Sequence, residues 1–134
     1  MIVRPYPLSQ RYHDPCGTYV EWFWLPILGP STTWAYRRLA GWLHVDGRRD
    51  GYELNMAELA ASIGVSPSTL TASVRRLVMF GLASFDDREH PTTVYVKATA
   101  PTLPGRHLKA LPAHVVAGHD RARSESLAIT SATV

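Results

Sequence analysis

The stretch from Asn55 to Leu82 constrains this chain most, because it encodes two helices with a turn fixed between them by glycine and proline. Asn55-Met56-Ala57-Glu58 has the spacing of a capping box, in which the Asn side chain accepts a backbone N–H and Glu58 reaches back to the first turn. A helix follows through Leu59, Ala60 and Ile63, and it stops at Gly64, where the lack of a Cβ permits positive φ. Ser66 and Pro67 then supply an N-cap and a proline at the first helical position, whose missing N–H costs nothing there. The spacing predicts a helix over 67–80. Leu70, Val74 and Leu77 face inward, while Ser68, Thr69, Thr71, Ala72, Arg75 and Arg76 occupy the other faces, and Gly81 ends the helix.

The flanks can be read more coarsely. Ala83 to Asp86 and Thr93 to Ala98 are β-patterned around a polar tip, which predicts a two-stranded hairpin. Ahead of the helix pair, Ser31 or Thr32 is expected to cap a helix carrying Ala35, Leu39, Trp42 and Leu43 at helical spacing. A glycine-bounded turn over 46–51 leads to a short extended Tyr52-Glu53-Leu54. Thr18 to Leu25 is rich in β-branched and aromatic residues and meets Pro26, so a strand is expected, with both faces largely apolar. Residues 1–17, with Pro5, Pro7 and Pro15, are expected to form an N-terminal arm, with the main domain over 18–100. Residues 101–119 are expected to form a C-terminal extension of one or two short helical turns packed on the core, and 120–134 a flexible tail.

Ala57 to Ala83, A-E-L-A-A-S-I-G-V-S-P-S-T-L-T-A-S-V-R-R-L-V-M-F-G-L-A, resembles the helix-turn-helix of bacterial winged-helix regulators, including the MarR-like and GntR-like groups. Leu59-Ala60, Gly64, Ser68-Thr69-Leu70, Leu77 and Gly81-Leu82 carry the match, and the order of elements extends it over about Ser31 to Ala98. The Leu28-Gly29-Pro30-Ser31 turn and the proline-leucine segment after Pro101 also look like those of uncharacterised actinobacterial proteins of this size. The resemblance implies an α+β fold: a winged helix-turn-helix with a three-helix core, a two-stranded β-wing, an N-terminal strand or arm and a C-terminal extension.

It also implies a sequence-specific double-stranded DNA-binding protein, a transcriptional regulator that reads the major groove with helix 67–80 and the backbone or minor groove with an 86–93 wing. Its nucleic-acid-binding residues would be Ser66, Ser68, Thr69, Thr71 and Ala72 at the helix start, Arg75 and Arg76 further along, and Arg88 and His90 at the wing. Only arginine among these offers the bidentate fork for guanine. Val78, Met79 and Phe80 stand where many such proteins carry charge, so a cover over this apolar run is expected.

Charge tempers the DNA reading. Residues 55–96 hold three Arg against Glu58, Asp86, Asp87 and Glu89, whereas 97–134 hold five Lys or Arg against Asp120 and Glu125. The chain's excess of +3 therefore lies outside the helix pair. Few cations there release few counterions from DNA, which makes a homodimer, through the apolar strand at Tyr19 to Leu25, the expected assembly. The alternative is a protein-interaction module that never touches DNA, using the Val78 to Phe80 patch or the Trp-rich strand.

Other classes find little support. No phosphate loop, Gly-x-Ser-x-Gly elbow, HExxH or CxxC pattern is present, so no enzyme, metal or cofactor is expected. Trp22, Trp24, Trp34 and Trp42 are assigned to core or interface. The apolar run near Val20 to Leu28 is too short to span a membrane. With a single cysteine and no leader-like N-terminus, the expected location is the cytoplasm.

Overall fold

The Asn55–Leu82 stretch folds much as its caps dictate. In the computed structural model, which describes residues 1–6, 13–86, 88 and 92–121, Asn55 Oδ1 accepts from the Ala57 and Glu58 amides at 2.9 and 3.2 Å. The reciprocal bond of the capping box is not formed, and Glu58 stays in solvent. The helix spans Met56–Ile63 and ends on Gly64 at φ 80° and ψ 30°, in the left-handed region. Ser66 caps the next helix, Pro67–Met79, which buries Leu70, Ser73, Val74 and Leu77 and is closed by Gly81 at φ 77°.

The chain divides into two compact units, Met1–Thr102 and Leu103–Val134. The first is α+β: β1 (Ile2–Pro5), a π-helical turn (Val20–Trp24) running into α1 (Leu25–Leu28), α2 (Pro30–Trp42), β2 (Tyr52–Glu53), α3 (Met56–Ile63), α4 (Pro67–Met79), β3 (Ala83–Asp86) and β4 (Thr93–Val96). Helix α2 packs on both α3 and α4, and α4 packs on β3. Leu39, Leu59, Leu70, Val74, Leu77, Leu82, Val94 and Val96 are fully buried among them. In the second unit α5 (Gly105–Leu108) is followed by a helix over 113–121, longer than the one or two turns expected. The expected flexible tail from 122 onward lies outside the described residues.

The first correction concerns the N-terminus. Instead of an arm up to residue 17, Ile2–Pro5 is an inner strand of a four-stranded sheet ordered β2-β1-β4-β3. It pairs parallel with β4, Ile2 opposite Thr93 and Pro5 opposite Val96, and antiparallel with β2. Ile2 and Tyr6 donate to the Thr92 and Val96 carbonyls, so even-numbered amides face β4 and odd-numbered ones face the other way. Pro5 sits at an odd position beyond the two residues that β2 covers. No ladder bond is lost there, which is why the proline is tolerated inside the sheet.

The second correction concerns Thr18 to Leu25, which is helical and not a strand. The run is apolar at nearly every position, so a period of 2 and a period of 3.6 fit it equally. Packing decides: Val20, Phe23, Trp24 and Leu28 form one buried helical stripe, and Glu21 and Trp22 face out. The Leu25 amide donates to the Val20 carbonyl, five residues back. Pro26 cannot donate to the Trp22 carbonyl, and the wider register falls just ahead of that missing bond. Trp24 Nε1 donates to the Pro101 carbonyl at 2.8 Å, tying this segment to the end of the unit. The two-faced strand offered as a dimer contact therefore does not exist.

A smaller correction applies at α2. Neither Ser31 nor Thr32 caps it; Gly29 does so at φ 85° and ψ 165°, with Pro30 in the first turn and the Thr33 hydroxyl donating back to the Gly29 carbonyl at 2.8 Å.

Candidate nucleic-acid interface

Helix α4 carries its polar residues on one side because its apolar ones repeat at three- and four-residue intervals on the other. Ser68, Thr71, Ala72 and Arg75 share the solvent face, opposite buried Leu70, Ser73, Val74 and Leu77. Ser66, Ser68 and Thr69 form a hydroxyl cluster at the helix start. Ser66 Oγ lies 3.0 Å from Ser68 Oγ, donates to Thr69 Oγ1 at 2.9 Å and accepts from the Thr69 amide at 3.2 Å. Thr71 Oγ1 donates to the Pro67 carbonyl at 3.0 Å. The positive end of the helix dipole and exchangeable hydroxyls thus meet at one exposed helix start, a combination that suits an anionic backbone.

The two arginines part company. Arg75 is exposed and has no partner among the described residues. Arg76 donates through Nε to the Leu28 carbonyl at 2.9 Å and through a terminal nitrogen to the Ile27 carbonyl at 2.8 Å, and it lies 5.1 Å over the Phe80 ring. It closes the last carbonyls of α1 and holds that helix to α4, so its guanidinium is committed to the fold. At the hairpin, the Arg88 amide and Nε both reach Asp86 Oδ1, at 3.1 and 3.4 Å, with the Arg88 side chain 92% exposed. His90 lies outside the described residues.

The cover expected over the Val78–Phe80 run is not found among the described residues. Met79 is 75% exposed and Val78 37%, while Phe80 is half-buried under Arg76. Two of the four tryptophans also stand out from the core, Trp22 and Trp34, whereas Trp24 is buried. Sequence reasoning gave Trp34 and Trp42 to core or interface and did not single out Arg37 and Arg38 beside them. Trp34, Arg37, Arg38 and Trp42 line one face of α2 beside Cys16, and the signal for them was their i, i+3, i+4, i+8 spacing.

Among the described residues, no three His, Cys, Asp or Glu gather as a metal site, and no helix is long and apolar enough to cross a membrane. No family model, curated protein or solved structure matches the chain.

Proposed function

We propose that this chain is a winged-helix protein that binds double-stranded DNA in a sequence-specific way and acts in the cytoplasm as a homodimeric transcriptional regulator. The observation that carries this reading is the free polar face of α4. Ser68, Thr69, Thr71, Ala72 and Arg75 point to solvent on a helix whose opposite side is wholly buried and whose start is capped by Ser66. A rigid, capped helix with an open hydroxyl-rich start is what insertion into a major groove requires, and the β3–β4 hairpin packed beside it supplies the wing. In this reading β1 broadens the sheet that bears the wing, Arg75 is the unpaired cation among the described residues, Arg88 is an exposed cation held to Asp86, and Arg76 holds the reading helix in place.

The test is selection of bound fragments from random duplex DNA at a fixed, stated salt concentration. An enriched motif with paired half-sites is expected, together with an affinity that falls as salt rises. Duplex affinity that ignores both sequence and salt would sink the proposal. The exposure of Met79 and Val78 favours one other reading, a protein-interaction module in which the end of α4 meets a partner chain. Under that reading Met79→Lys abolishes partner capture and no DNA motif is enriched.

A further inference from the structure

A second surface in the same unit, away from the polar face of α4, is lined as a small-molecule site would be. Trp34, Arg37, Arg38, Gly41 and Trp42 lie along one face of α2, and the loop bearing Cys16 closes over them to leave a groove of about 300 Å³. That volume is at the lower end of the roughly 300–1,000 Å³ typical of ligand pockets. Gly41 makes the closure possible, because a Cβ there would come within 3.0 Å of the Cys16 sulfur.

Two arginines line this groove and no carboxylate does. The Nε atoms of both Arg37 and Arg38 are buried and have no acceptor. Arg37 is oriented by a 3.0 Å bond from a terminal nitrogen to the Gly17 carbonyl and by its place 5.3 Å over the Trp34 ring. Arg38 donates no hydrogen bond among the described residues. The nearest acid on the overhanging loop, Asp14, spends Oδ1 on the Cys16 amide at 2.9 Å. The two Nε atoms face the protein, so the groups open to a ligand are the terminal nitrogens, and two cationic side chains on one groove wall match a dianion better than a monoanion. Trp34 has Arg37 over one side of its ring and is 49% exposed, which leaves indole surface for a flat ring.

We propose that this groove binds a small planar heteroaromatic ring carrying a phosphate, of which a nucleoside monophosphate is the simplest case, with the phosphate on Arg37 and Arg38 and the ring against Trp34.

The test titrates the full chain with AMP, adenosine, inorganic phosphate and a single-stranded oligothymidylate, following tryptophan fluorescence and the rate of Cys16 alkylation. AMP is expected to saturate the signal and to slow alkylation of Cys16 on the groove rim. Adenosine or phosphate alone should bind at least about tenfold more weakly, since each supplies half of the contacts. Arg38→Gln and Trp34→Leu should each weaken AMP by about ten- to a hundredfold, the worth of one charge-assisted contact, with the melting temperature kept. Failure of millimolar AMP to saturate, or equal AMP affinity in both variants, would overturn the proposal. So would an oligothymidylate that binds far more tightly than AMP, since the face would then track a single strand. Should either variant unfold, protection of Cys16 by AMP in the unaltered chain decides the matter. Arg75→Ala, outside the groove, reports on duplex binding separately.

Discussion

Gly64 and Ser66 show how much a single residue decides at the helix-turn-helix. Gly64 has open space where a Cβ would go, so Gly64→Ala meets no clash and its whole cost is the left-handed backbone, about 1–2 kcal/mol. Ser66→Ala removes the oxygen that caps α4 and should cost about 1 kcal/mol. Urea unfolding of the two variants measures both. Two buried tyrosines make a different kind of prediction. Tyr36 donates its hydroxyl to the Lys97 carbonyl at 2.7 Å and Tyr52 to the Leu39 carbonyl at 2.6 Å. Burial pushes both phenols well above their ordinary value of 10.0. Unfolded tyrosines ionise near that value while these two stay protonated, so their contribution is intact below pH 10.0 and is lost as pH rises beyond it. Alkaline titration should show the tyrosinate absorbance of these two phenols appearing together with loss of helical circular dichroism, and Tyr36→Phe should remove part of that share.

At the scale of elements, neighbouring arginines are assigned opposite duties. Arg76→Ala breaks the tie between α4 and α1, which is partly exposed, and should lower stability by about 1 kcal/mol. Arg75→Ala removes no hydrogen bond or ion pair among the described residues and should leave stability within about 0.5 kcal/mol. On duplex DNA the order reverses for the salt response: Arg75→Ala should reduce the slope of log affinity against log salt by about one. Melting curves and salt titrations of the two variants separate a cation that serves the fold from the one proposed to meet DNA. The helices around them were legible because their signals are local. Asn55, Gly64, Ser66-Pro67 and Gly81 each act on backbone groups within four residues; Asn55 caps its helix without the reciprocal Glu58 bond, and the other three behave as read. The Val20–Trp24 turn was not legible, because its run of apolar residues carries no period that distinguishes strand from helix.

For the molecule as a whole, the N-terminal strand joins what the chain order keeps apart. β1 bonds to β2, from the segment between α2 and α3, and to β4, from the hairpin, and the Met1 amine and carbonyl both bond to Leu54. Val3 is fully buried. Deletion of residues 1–5 should therefore abolish the cooperative thermal transition of the Met1–Thr102 unit, followed by circular dichroism, although it removes no helix. Retention of a sharp transition would show that β1 is dispensable to the sheet. By itself the sequence determined the capped pair α3 and α4, the turn at Gly64, the hairpin and the apolar stripe of Leu70, Val74 and Leu77, since each depends on contacts between near neighbours. Only the tertiary structure decided that Ile2–Pro5 is an inner strand, that Thr18 to Leu25 is helical, that Arg76 is spent on α1 and that Arg37 and Arg38 share a groove. Those outcomes depend on partners many residues away, and local propensity gives way when burial of Val3, Phe23 and Trp24 outweighs it.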